Sequence, residues 1–222
     1  MCKGKQQMNL WKLTSVVIGL TLSTSLNASI ISVDWQTTDD NLITQDTENN
    51  LEWLDLTATT NLSYDYVSSQ LGVGGVFEGW RYALSTDVIG FLDEFGGDSN
   101  YYNGWSTQNN GLFDAVSEYW GDTYCYFDGC AVGSGSSSAI IADESFFTNH
   151  MRTYLYDGSI HPSSLTEDRV NVLYSLTADS VADPLIGHAL VREISTVPVP
   201  AAVWLFGSGL IGLVGFSRRK KA

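Results

Sequence analysis

The chain has 222 residues, 11 Lys and Arg against 25 Asp and Glu for a net charge of −14, with 44% hydrophobic and 12% aromatic residues. Those proportions exclude a polytopic membrane protein and a disordered chain, and the length suits one or two domains with a buried core. Between residues 29 and 197, where all 25 acidic residues lie, only Arg81, Arg152, Arg169 and Arg192 are basic, a balance of −21 that disfavours nucleic acid and anionic lipid surfaces as partners.

Lys3, Lys5 and Lys12 precede a short apolar run over 13–22, and small and polar residues follow as far as Ala28 and Ser29. This order of basic, apolar and small residues predicts a secretory signal peptide over 1–28, with Met8 as an alternative start. The run is too short and too interrupted by Thr and Ser to span a membrane comfortably. Residues 29–196 then form the exported part. A short strand is expected at 30–35, followed by a polar, acidic loop. Residues 51–57 are apolar on both alternating faces, as in a strand at the middle of a sheet.

Ser63 is placed to cap a short helix reaching about Gly72, with Leu62 and Val67 as its hydrophobic staple. Ser85, Thr86 and Asp87 open a second helix in which Val88, Phe91, Leu92 and Phe95 recur at helical spacing until Gly96 and Gly97. A third helix is expected over 112–120. Residues 129–138 read as a Gly- and Ser-rich loop, with strands at 139–142, 153–156, 170–176 and 189–194. In the third of these, Val170, Val172, Tyr174 and Leu176 alternate onto one face, and Asp157-Gly158 signals a turn. The expectation is one α+β domain with a small mixed or antiparallel sheet and two or three short helices.

Behind it, residues 201–216 are uncharged and run directly into Arg218, Arg219, Lys220 and Lys221. A helix of that length reaches about 24 Å against a hydrocarbon core of about 30 Å, so it spans with help from its flanks. The cations after it place that end in the cytoplasm and the globular part outside. A buried C-terminal helix is the alternative, and it would carry four glycines and end in four clustered cations.

Val197-Pro198-Val199-Pro200, the apolar run and the basic end together resemble the PEP-CTERM sorting signal, with Val199 where that motif has Glu. The resemblance covers about 25 residues. It implies export in a Gram-negative bacterium, transient retention in the inner membrane, processing by an exosortase, and transfer to the cell surface or extracellular matrix. It says nothing of the activity of 29–196, because such tails serve unrelated domains. A second resemblance rests on Glu78-Gly79-Trp80-Arg81 and Ala189-Leu190-Val191-Arg192, which are similar to steps in exported modules with C-type-lectin-like folds. The tripeptides of calcium-dependent sugar lectins are absent, so sugar binding does not follow from it.

Cys125 and Cys130 are the only cysteines left after signal removal, and in an oxidising exterior they are expected to pair. His150, His161 and His188 have no metal-helix spacing and read as surface or structural histidines. Trp53 and Trp80 are expected in the core, the latter beside the second helix, whereas Trp105 is the candidate for a loop-borne ligand contact. Calcium is the one cofactor that carboxylate clusters suggest; no EF-hand is present, and no catalytic, cofactor or metal residue is assigned. Two functions remain: a non-catalytic binding or structural module, with extracellular polysaccharide as a partner, or an exported hydrolase with a carboxylate site. A shallow aromatic face favours the first and a deep pocket with paired carboxylates the second.

Overall fold

The computed structural model describes residues 30–125, 135–142, 148–158 and 167–195. The expected signal peptide, Cys130 and the side chain of Cys125, His161, the motif Val197 to Pro200, the 201–216 span and the terminal cations lie outside the described residues. Among the described residues no helix is long and apolar enough to cross a membrane.

In chain order the elements begin with strands β1 (Ile30–Val33), β2 (Ile43–Asp46) and β3 (Leu51–Leu54), then helix α1 (Tyr64–Ser69), strand β4 (Arg81–Tyr82) and helix α2 (Ser85–Glu94). Strand β5 (Asn103–Ser106), helix α3 (Leu112–Trp120), and strands β6 (Tyr124–Cys125), β7 (Gly135–Ile140) and β8 (Asn149–Tyr156) follow. The last are β9 (Asp168–Ala178), β10 (Gly187–His188) and β11 (Leu190–Glu193). These strands make two sheets, where one small sheet was expected. The first has the order β1-β2-β3-β11-β4, and the second β10-β7-β8-β9-β5 with β6 also on β7.

Strand β3 is central, as its two-sided apolar pattern requires. Leu51 and Trp53 face a core shared with α2, α3 and the second sheet, and Leu54 faces a second core with Ile43, Val67 and Leu190. Strand β2 falls inside the stretch expected to be a loop. Its polar residues are buried with partners: the Thr44 hydroxyl donates to the Tyr119 carbonyl, and the Asp46 carboxylate accepts from Asn49 N–H to close the β2–β3 turn. Strand β3 is shorter than expected, giving way to a 3₁₀ turn over Leu56–Thr59.

Helix α1 begins where its cap predicts, and α2 begins at Ser85, the residue expected to cap it. Ser63 Oγ accepts from Tyr66 N–H at 3.2 Å to cap α1. At α2 the Asp87 carboxylate reaches back to Leu84 N–H at 2.9 Å, which makes Leu84 the cap and Ser85 the first helical residue. Helix α3 ends on Gly121 at φ +90°, where a Cβ would lie 2.4 Å from Asp55 Oδ1, so both conformation and space require glycine.

Two further elements correct the loop assignments. Strand β7 starts at Gly135, inside the expected Gly/Ser loop, because pairing with β8 sets small serines opposite large tyrosines: Ser136 against Tyr156 and Ser138 against Tyr154. Strand β5 places Trp105 on the edge strand of the second sheet, paired with Arg169, and not on a loop. The chain crosses between sheets at Ala189, whose N–H donates to the Ile140 carbonyl of β7 and whose carbonyl accepts from Ala83 beside β4. Alanine at this seam lets the backbones approach.

The segments that carry the second resemblance are neighbours. Val191 pairs with Arg81 and Leu190 with Tyr82, while the Arg192 guanidinium lies 4.4 Å from the Trp80 ring centre and 2.5 Å from Glu52. Trp80 is buried as expected, but in the second core with Phe77 and Leu54. The α2 residues Val88, Phe91 and Leu92 belong to the first.

Candidate functional site

The second sheet has one face in the core, formed by Ala139, Leu155, Val170 and Val172. Alternation turns the intervening residues to the other side. Register carries a row across four strands on that second face, exposed at Trp105 of β5, half-buried at Arg169 of β9 and buried at Tyr156 of β8 and Ser136 of β7. The next row holds Asn103, Asn171, Tyr154 and Ser138.

A bulge enlarges this face. Tyr154 pairs with Asn171 and Arg152 with Ser175, so a two-residue step on β8 meets a four-residue step on β9. The expected alternation therefore stops at Val172. Val170 and Val172 are buried, whereas Tyr174 and Leu176, expected on their face, are 37% and 47% exposed. Tyr174 stacks on Tyr154 with ring centres 5.0 Å apart, and Tyr154 on Tyr156 at 6.1 Å.

Two arginines lie among these rings. Arg169 Cζ is 4.9 Å from the Tyr174 ring centre and 5.8 Å from those of Trp105 and Tyr154, and its Nε–H donates to Asn171 Oδ1 at 2.8 Å. Arg152 Cζ is 5.2 Å from the Tyr174 ring centre, and its Nη2–H donates to Ser175 Oγ at 3.0 Å. Trp105 meets Tyr156 edge-on at 5.7 Å and is 39% exposed. Burial, the largest influence, pushes the Tyr154 hydroxyl up. Arg152 and Tyr154 also wall a cleft of about 190 Å³ with Tyr124, Ser138, Asp183 and Leu185. The face is thus an aromatic platform with two embedded guanidinium groups and flanking amides, suited to stacking and hydrogen bonding.

Carboxylates gather elsewhere. Asp157 and Asp168 are buried, and Asp168 accepts from Gly158 N–H at 3.1 Å. Burial first, and then Asp157 nearby, hold Asp114 above the ordinary carboxylate range; burial likewise raises Asp168. Asp122 is pushed up to about 6 by burial, against the N–H groups of Tyr124 and Ser136 that its Oδ1 accepts at 3.1 and 3.2 Å. Among the described residues no group of three or more His, Cys, Asp or Glu is placed to hold a metal ion.

The histidines within the described residues are structural. His188 is fully buried and donates from Nε2 to the Leu62 carbonyl at 3.0 Å, which leaves Nδ1 to accept from the Tyr82 hydroxyl at 2.7 Å. Burial lowers its pKa to about 4. His150 Nδ1 lies 2.7 Å from Asp179 Oδ1, with its ring against Tyr64. Trp53 and Trp120 are buried against each other and Phe91.

Of the candidate site residues read from sequence, Trp105 is the one that the described structure places on this face. Arg152, Tyr154 and Tyr156 were legible as an i, i+2, i+4 set, since 153–156 was already expected to be a strand. Arg169 and Tyr174 join them through cross-strand register and a bulge, for which the sequence carries no local signal.

No curated protein and no solved structure matches the chain. The PEP-CTERM protein-sorting motif matches residues 196–220, directly beyond β11, so the chain carries a PEP-CTERM sorting motif, which indicates an exported protein sorted by an exosortase.

Proposed function

We propose that the chain is a cell-surface or extracellular-matrix protein of a Gram-negative bacterium whose exported domain is a non-catalytic binding module. Its tail passes through the inner membrane as a short helix over 201–216, held by Arg218, Arg219, Lys220 and Lys221, before exosortase processing releases the domain outward. Val197 to Pro200 are the recognition residues in this scheme. The domain uses no resident metal or cofactor.

The observation that carries the binding role is the outer face of the second sheet, where Trp105 and Tyr174 remain exposed around Arg169. Exposed aromatic rings on a rigid sheet lose little conformational freedom on engaging a ligand, and extracellular polysaccharide offers flat sugar faces to stack on them. A glycan array probed with the full-length chain in mild detergent tests this. The expected result is retention on a subset of glycans that Trp105→Ala and Tyr174→Ala abolish; retention indifferent to both variants would refute this assignment of the face.

A second reading, an exported hydrolase, draws on Asp114 and Asp168, whose pKa values are raised first by burial and then by the neighbouring Asp157. Asp168, however, is engaged by a backbone N–H, the situation of a structural carboxylate. Release of reducing ends from a polysaccharide, lost in Asp168→Asn with the fold intact, would favour hydrolysis.

A further inference from the structure

The charge census narrows the ligand of this face. Four arginines serve the entire exported stretch. Two are committed to carboxylates: Arg81 to Asp87 at 2.6 Å and Arg192 to Glu52 at 2.5 Å. The other two, Arg152 and Arg169, stand on the same face and have no carboxylate partner among the described residues. They are held by rings and by neutral side-chain oxygens of Ser175 and Asn171. Arg152 Nε is buried without a hydrogen-bond partner, at the cleft that Arg152 and Tyr154 line.

In a chain with 25 acidic residues, an Asp or Glu at position 171 or 175 would have been the simple way to pair these cations. Neutral groups there fix each guanidinium in place without a described carboxylate to neutralise it, which suits it to an anionic partner. The rings add a second requirement, because the ligand must present a flat apolar face beside its anion. A pyranose bearing a carboxylate on its ring meets both requirements. A nucleic acid does not, since its dense phosphate charge meets the acidic remainder of the domain, whereas one carboxylate per sugar is a sparser charge whose distant repulsion is screened beyond about 8 Å. Asp183 lies in the adjoining cleft, so the carboxylate belongs on the arginine side of it.

We propose that this face, from Trp105 through Arg169 and Tyr174 to Arg152, binds a uronic-acid polysaccharide, with the two arginines receiving ring carboxylates and Trp105 and Tyr174 stacking on sugar faces. The proposal rests on the reading of the face as the binding surface.

Affinity electrophoresis of the full-length chain in mild detergent, in native gels cast with polygalacturonate or with neutral dextran, tests it. The expected result is retardation by polygalacturonate alone, weakened by added salt. The double variant Arg152→Gln/Arg169→Gln weakens apparent affinity by about tenfold or more, and Trp105→Ala by about fivefold or more. Arg169→Lys, which keeps the charge and loses the planar stack, retains part of the binding; it serves in place of the double variant should circular dichroism show that variant misfolded. Equal retardation by dextran and polygalacturonate, unchanged by Arg→Gln and lost in Trp105→Ala, would overturn the uronate assignment and leave the binding face standing. Retardation by neither polymer overturns the uronate assignment, and the glycan array then decides the face separately.

Discussion

Arg192 and Asp122 show how single polar residues are tied into this fold. Arg192 bridges Glu52 and the face of Trp80, so the Trp80 ring anchors both the second core and an ion pair at its rim. Trp80→Ala is therefore expected to cost about 3 to 5 kcal/mol, read as a lowered midpoint in chemical denaturation. An unchanged midpoint would place the ring outside the core. Asp122 makes the opposite kind of prediction. Its folded-state pKa of about 6 exceeds the ordinary value of 3.8, so the folded state holds the proton more tightly. That contribution to stability is fully present below the ordinary value and is lost as pH rises through 6. Asp122→Asn keeps an Oδ1 acceptor for Tyr124 and Ser136 without the charge. Its melting temperature is expected above that of the parent at pH 8, with the difference vanishing toward pH 4 as the parent aspartate takes up its proton. His188 runs the other way: with its pKa lowered to about 4, it withdraws stability as pH falls from about 6.5 toward 4.

At the level of elements, the helices and β3 were legible because their signals are local. Ser63 caps α1, the spacing of Val88, Phe91 and Leu92 defines the buried side of α2, and the two-sided pattern of Leu51 to Leu54 places β3 between two cores. Strands β2, β5 and the start of β7 were not legible. Thr44, Asn103 and Ser136 are polar or small and carry no apolar alternation of their own; Thr44 joins its sheet through the neighbouring strands β1 and β3, whereas Asn103 and Ser136 depend on partners farther along the chain. The candidate site depends most on these pairings, because Trp105 meets Arg169 through β5 and Tyr174 reaches the face through the β9 bulge. The same dependence bears on β6, which pairs Cys125 with Gly135 through the backbone at the edge of β7. Cys125 and Cys130 are expected to be joined in exported protein, closing the segment after β6. Peptide mapping without reduction should recover the cross-linked peptide, and two alkylatable thiols in exported material would contradict the pairing.

Over the whole molecule, the positions of the chain ends connect fold to sorting. Ile30 pairs with Asp46, Asp46 with Leu51, and Leu51 with Glu193. The first residue of β1 and the last of β11 therefore stand in one row of the first sheet, three strand spacings or about 14 Å apart. The peptide expected to be cut after Ala28 and the motif beginning at residue 196 consequently leave from the same end of that sheet. Ile194 N–H still donates to the Asn50 carbonyl at 3.1 Å, so the fold continues to within two residues of the motif. Every strand of both sheets precedes residue 196, and deleting 196–222 removes no core residue of the described fold. The truncated chain is expected to be exported, to keep the melting temperature of the parent domain, and to collect in the periplasm without reaching the cell surface. In the parent, pulse-chase labelling is expected to show a membrane-bound precursor converting to a shorter surface form. An intact C-terminus on the surface form would contradict exosortase cleavage, and a molten or insoluble truncated domain would contradict the independence of the two sheets from the tail.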